Sequence, residues 1–298
     1  MNLPSGDPTA HLSPGPCTTL PTDVEVAELP SDVAALVRIC QGLLVHVHLA
    51  AAYGVELTDG QRADVHLRSV DQVVERVLAI DGSPIDVARN PAQRAGGNCR
   101  QLSVLLVALL RATGTRARAR CGFSDYFGTA RWEDHWVAEV WDDGPGRWRL
   151  VDAQLDPRQR ELFAVDLDPL DVPADRFQVA GAAWRRCRRG DDDADRYGLT
   201  SLGESGPWWI AGNLMRDLAS LQGIELLPWD SWAAMPRPFE DVEPAVADLL
   251  DDVAEATAPA DAPGAHGRRR ELWSDPRLAL GAVVHDDLLD RDDPAPAL

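Results

Sequence analysis

Three side chains in the middle of the chain have the types and order for nucleophilic chemistry: the thiol of Cys99, the imidazole of His135 and the carboxylate of Asp152. A free thiol ionises near about pH 8.5 and attacks slowly at neutral pH, and a helix N-terminus or a nearby imidazole lowers that value. Cys99 opens the run NCRQLSVLLVALLRATG, which is apolar nearly all round from Leu102 to Leu110 and ends at Gly114. That pattern reads as a buried central helix. Only its first turn, Asn98 to Ser103, is polar, so this end is expected at the surface or a cleft. Gly96 and Gly97 are expected to admit close backbone approach to a substrate, leaving the Cys99 amide to hold an oxyanion.

His135 and Asp152 fall on two strand-like segments, about 133–141 and 147–152, and the turn-rich DDGPG between them predicts a hairpin. If Asp142 faces Arg147, His135 lies opposite Gln154 and Asp152 is its diagonal neighbour on the same face. Such neighbours are roughly 7 to 8 Å apart, within reach of a side-chain hydrogen bond. Cys99 then reads as nucleophile, His135 as base and Asp152 as the group that orients the base. Gln93, Asn98, Trp132 and Trp136 are weaker candidates for positioning substrate or oxyanion, with Asn98 favoured as a helix cap. The competing reading of each triad residue is structural, since a cysteine in an apolar helix is most often a small buried hydrophobe.

The elements that must position these groups are only partly regular. Ser31 and Asp32 are expected to cap a helix running to about Tyr53, where Gly54 ends it, and a second helix spans about Ser69 to Ile80. AIDGSPIDVARNPAQRAGGN reads as a long loop. RARARCGF alternates strictly and predicts a half-buried strand, with Arg116, Arg118 and Arg120 on a solvated face answered by aspartates elsewhere. A helix is expected near Pro207 to Leu221, with Trp208, Trp209, Trp229 and Trp232 mostly in a core. The fold class expected is α+β, in four segments: a disordered arm (1–28), a catalytic core (29–157), an extension packed on it (158–240) and an acidic tail with short helices (241–298).

The blocks GGNCRQLSVLLVALLRATGTRARARCGF, EDHWVAEVW and RWRLVDAQLDP together resemble the core of the transglutaminase-like superfamily, over about residues 60 to 157. The resemblance implies a papain-like α+β fold in which a helix end bearing the cysteine packs on an antiparallel sheet bearing His and Asp. It also implies Cys99, His135 and Asp152 as the triad and a thioester on Cys99. The acyl group would come from an amide, peptide or thioester substrate and pass to an amine or to water. Many relatives carry an acidic residue soon after the cysteine, where this chain has Arg100 and Gln101, so substrate preference is not implied. GPWWIAGNLMRDLASLQGIELLPWDSW resembles a C-terminal extension of bacterial members. The alternative on the same fold is a non-catalytic binding or scaffold module.

Bulk properties narrow the partners. With 29 basic against 48 acidic residues, a net charge of -19 disfavours nucleic acid and anionic membrane surfaces. A small-molecule, peptide or carrier-bound acyl substrate remains. The N-terminal segment does not read as a secretion signal, Cys17, Cys40, Cys99, Cys121 and Cys187 are odd in number and irregularly spaced, predicting reduced thiols in a cytoplasm, and basic residues that are all Arg and never Lys lead us to expect a bacterial source. No C-x-x-C occurs, and His46 and His48 at i, i+2 on the expected helix read as core histidines, so neither a metal nor a cofactor is expected.

Overall fold

The structure is a computed structural model that describes residues 11–258, 261–262 and 264–296. Its contacts divide the chain into two units, one holding 11–119 and 136–173, the other 120–135 and 174 onward. This cut differs from the four consecutive segments expected.

In the first unit, α1 (Val33–Leu43) starts where the Asp32 carboxylate accepts from the Ala35 N–H at 2.8 Å, and it buries Leu36, Val37, Cys40 and Leu43. It does not continue to Tyr53 as expected. Leu44–His46 instead forms β1, which pairs in parallel with β2 (Ala95–Gly97) inside the expected long loop. The Val47–Tyr53 stretch is a 3₁₀ run closed by Gly54 at φ 71°. His46 is half-buried and His48 exposed, so neither is a core histidine. α2 (Asp59–Ala63) and α3 (Val70–Ile80) follow, the latter begun by Ser69, whose N–H donates to Gln72 Oε1 at 3.2 Å. α4 (Cys99–Ala112) packs against α1 and α3. Residues 11–28 are no disordered arm: Cys17 and Thr18 are buried, the Val70 N–H donates to the Cys17 carbonyl and Arg111 to the Thr18 hydroxyl.

The chain leaves this unit within β3 (Ala117–Ser124) and returns within β4 (Trp132–Asp142), between His135 and Trp136. β5 (Arg147–Val151) pairs antiparallel with β4 from Ala138↔Val151 to Asp142↔Arg147, the register expected from DDGPG, and α5 (Pro157–Leu162) follows. β3 is buried along its whole length rather than half-solvated. The arginines of this stretch, Arg116 just before the strand and Arg118 and Arg120 within it, are each held by partners. Arg116 lies 4.2 Å above Trp141 and 3.3 Å from Asp143. Arg118 bonds Glu139 at 2.6 Å over Trp148, and Arg120 forks onto Asp217 at 2.9 and 2.8 Å. Alternation alone cannot tell a solvated charged face from one whose charges are buried in pairs.

In the second unit, β6 (Phe177–Val179) pairs antiparallel with β3, β7 (Tyr197–Leu199) pairs in parallel with the start of β4, and β8 (Glu204–Ser205) continues from β7. α6 (Ala180–Arg188) packs on α7 (Pro207–Leu221), the helix expected there. β9 (Asp230–Ser231) precedes α8 (Pro244–Thr257) and α9 (Ala265–Trp273), and β10 (Val283–Asp286) with β11 (Arg291–Pro294) joins β9 in a small antiparallel sheet. The acidic tail carries short helices, as expected, and adds to a core: Leu250 and Val253 of α8, Leu272 of α9 and Leu278 bury with Ile210, Leu214 and Leu218 of α7. Of the four tryptophans expected in the core only Trp232 is fully buried. Among the described residues no helix is long and apolar enough to cross a membrane.

Candidate active site

Cys99 is the first residue of α4 because Asn98 closes the helix ahead of it. The Asn98 Oδ1 accepts from the N–H groups of Arg100 (2.9 Å) and Gln101 (3.3 Å), and Gln101 Oε1 accepts from the Asn98 N–H (3.1 Å). This reciprocal box makes Asn98 a cap. As the first helical residue Cys99 has no intrahelical acceptor for its N–H.

The polar first turn does not face water. Cys99 is 8% exposed, and Arg100, Gln101 and Ser103 are fully buried. Their polarity is spent on backbone carbonyls. Arg100 donates to Arg68 O (2.5 Å), Gln101 Nε2 to Val65 O (2.6 Å) and Ser103 Oγ to Trp136 O (3.0 Å). Arg100 and Gln101 therefore anchor the cysteine-bearing helix end to the segment before α3. Ser103 lies one turn beyond Cys99 on the same side of the helix, and its acceptor belongs to the residue that follows His135 in the chain. Gly96 has a packing reason rather than a substrate reason: a Cβ there would meet the Gln61 carbonyl oxygen at 1.9 Å.

Asp152 is fully buried, one residue past the end of the β4–β5 ladder. Its Oδ1 accepts from the Gln154 N–H and its own N–H donates to Pro169 O, both at 2.8 Å. From Gln154 a chain of side chains leads outward, Gln154 Nε2 to Gln159 Oε1 (3.0 Å), Gln159 Nε2 to the Tyr53 hydroxyl (3.0 Å) and that hydroxyl to Asp156 Oδ2 (2.8 Å). Burial pushes the Tyr53 hydroxyl up, so it stays a donor. Nothing in the sequence pattern points to this network, whose members come from the 3₁₀ run, α5 and the turn that precedes α5.

His135 is 1% exposed and meets Tyr126, Phe127 and Phe177 edge-on at ring separations of 5.9, 5.0 and 6.3 Å. Trp132 stacks flat on Tyr197 at 5.7 Å, and Trp136 is wholly buried. Gln93 is exposed on the turn Pro91–Gln93. Asp134, unremarked in the sequence, has its Oδ2 bonded by Trp209 Nε1 and Asn213 Nδ2 of α7, each at 2.7 Å. Burial raises its carboxyl above the ordinary range, against those two donors and the nearby Arg216. The other thiols differ in setting: burial pushes Cys40 up, and burial with Asp192 pushes Cys187 up to about 12. Among the described residues no group of three or more His, Cys, Asp or Glu is placed to hold a metal ion.

Residues 63–153 match the sequence profile of the transglutaminase-like superfamily, a stretch that contains Cys99, His135 and Asp152. No curated protein matches the chain. Among solved structures it is similar to one described as "a Putative Cysteine Protease from Cytophaga hutchinsonii", at 22% identity and a TM-score of 0.16. That likeness covers 46% of each chain, so this chain spans less than half the length of that protein.

Proposed function

Residues 63–153 being a transglutaminase-like core within an α+β fold, we propose that this chain is a cysteine-dependent acyl transfer enzyme with Cys99 as nucleophile, His135 as general base and acid, and Asp152 as the group orienting His135. The observation that carries the reading is Cys99 at the first position of a capped helix, inside the matched segment. The Cys99 thiolate attacks the acyl carbon of an amide, peptide or thioester substrate, and the Cys99 N–H supports the oxyanion. His135 gives its proton to the departing amine or thiol and a thioester remains on Cys99. His135 then takes a proton from an incoming amine or water, which displaces the thiolate and releases the product. A cysteine 8% exposed limits the access of bulk water to the thioester, which favours transfer to an amine over hydrolysis.

The test uses the five thiols as internal controls. With iodoacetamide at neutral pH, Cys99 is expected to be alkylated before the half-exposed Cys187, whose thiol is held protonated. Screening of amide and thioester libraries should then trap an acyl adduct on Cys99 by mass spectrometry, and Cys99→Ser should lower turnover on the order of 10⁴-fold or more. Faster labelling of Cys187, or full turnover in the serine variant, would sink the proposal.

A further inference from the structure

Asp134 and His135 are neighbours on β4, so their side chains leave opposite faces of the strand, and each is held from its own side. His135 meets the three aromatic rings. Asp134 is held by α7, where Trp209 and Asn213, one helical turn apart, both donate to the same carboxylate oxygen at 2.7 Å. The Asn213 amide is turned this way by Arg216, whose Nη1 donates to Asn213 Oδ1 at 3.2 Å while its Nη2 donates to Asp230 O at 2.9 Å. One turn further along α7, Asp217 takes the Arg120 guanidinium and the Cys121 N–H of β3. Trp209, Asn213 and Asp217 thus form a stripe at i, i+4 and i+8 that grips both strands. Nothing in acyl transfer itself calls for a carboxylate at position 134, and an apolar residue there would avoid the desolvation of a charge.

We propose that Asp134 is a positioning residue: clamped by Trp209 and Asn213, it fixes the β4 backbone that carries His135 and sets a negative charge beside the imidazolium formed during turnover, which makes α7 part of the working enzyme. This inference rests on His135 being the general base. The charged and titratable groups around the pair are accounted for. Glu133, on the other side of Asp134, is engaged by the Thr200 N–H and hydroxyl. Arg216 of α7 is the cation nearest in effect to Asp134, and Tyr126 faces the His135 ring. Cys99 and Asp152 are its proposed partners in the reaction.

The test compares full-length wild type with Asp134→Asn, which keeps an oxygen for both α7 donors and loses only the charge, and with Trp209→Phe, which loses one donor. His135 is followed by NMR titration of its ring protons, identified by their loss in His135→Gln. The midpoint is expected to fall by about half to one pH unit in Asp134→Asn. With a substrate in hand, kcat should fall about tenfold while KM stays within about twofold, and Trp209→Phe should lie between. An unmoved His135 midpoint in Asp134→Asn, or a kcat equal to wild type, overturns the role. The two readings fail separately. If Cys99 is not the preferred site of alkylation in wild type, acyl transfer falls while the titration still decides what Asp134 does to His135. If Cys99 is preferred and the midpoint stays, only the role of Asp134 falls.

Discussion

Asp134 carries a consequence for stability that separates it from an ordinary structural carboxylate. Burial raises its carboxyl above the usual 3.8 despite two hydrogen bonds and Arg216. Between that ordinary value and the raised one, the folded chain holds more protons than the unfolded chain, so stability falls as pH rises through the window and the full penalty applies above it. Asp134→Asn removes the ionisable group and keeps the acceptor. It is therefore expected to be as stable as wild type or more so at pH 7, by urea midpoint, with the difference shrinking as pH drops toward about 3.8. A variant that loses stability at pH 7 would show the charge to be a net structural asset. Position 134 is not legible in the sequence for a physical reason: its donors lie 75 and 79 residues away, and an aspartate beside a histidine on an alternating strand looks like any solvated position. Cys99, His135 and Asp152 are conspicuous in the sequence because each carries reactive chemistry at an expected end of a helix or arm of a hairpin. The same local logic failed for Gly96, whose tight contact is with a carbonyl from α2 rather than with a substrate.

Elements were legible where their own sequence dictates them and illegible where a distant partner does. The ends of α3 and α7, the start of α4 and the four-residue hairpin loop all follow from caps, periodicity and turn residues. The break after Leu43 does not, because the apolar run continues unbroken and only parallel pairing with β2 draws Leu44–His46 out of the helix. Arg120 of β3 shows the same limit, since its alternation is identical whether water or Asp217 covers it. That pair also supplies a measurable prediction. Both side chains are fully buried, with two parallel hydrogen bonds and a third from Arg120 to Thr257 O. Asp217→Ala strands a buried guanidinium and is expected to destabilise by about 3–5 kcal/mol in urea unfolding, whereas Arg120→Met with Asp217→Leu together should recover most of that loss. A single variant within about 0.5 kcal/mol of wild type would mean that water reaches the guanidinium and that α7 does not depend on β3 for its seat.

At the scale of the whole molecule, the consecutive segments read from composition fail because contact and chain order disagree. The acidic, Ala-rich stretch after residue 240 looks like a solvated tail on average, yet Leu250, Val253, Leu272 and Leu278 fall at spacings that fill one core with α7. The chain also passes from one unit to the other at 119/120, 135/136 and 173/174, so no single cut among the described residues separates them. Cleavage after Pro173 removes from residues 120–135 partners they pack on in their own unit: β6 beside β3, Asp217 opposite Arg120, and both donors to Asp134. Two stranded buried charges cost several kcal/mol each, comparable with the roughly 5–15 kcal/mol that holds a domain folded. The fragment 1–173 contains the entire matched segment 63–153 and all three proposed catalytic residues, and a catalytic core independent of its extension would leave it folded. It is instead expected to lack a cooperative thermal transition, to lose near-ultraviolet circular dichroism and to bind ANS. A sharp single transition near that of the full chain would show that residues 120–135 find adequate partners without the C-terminal half.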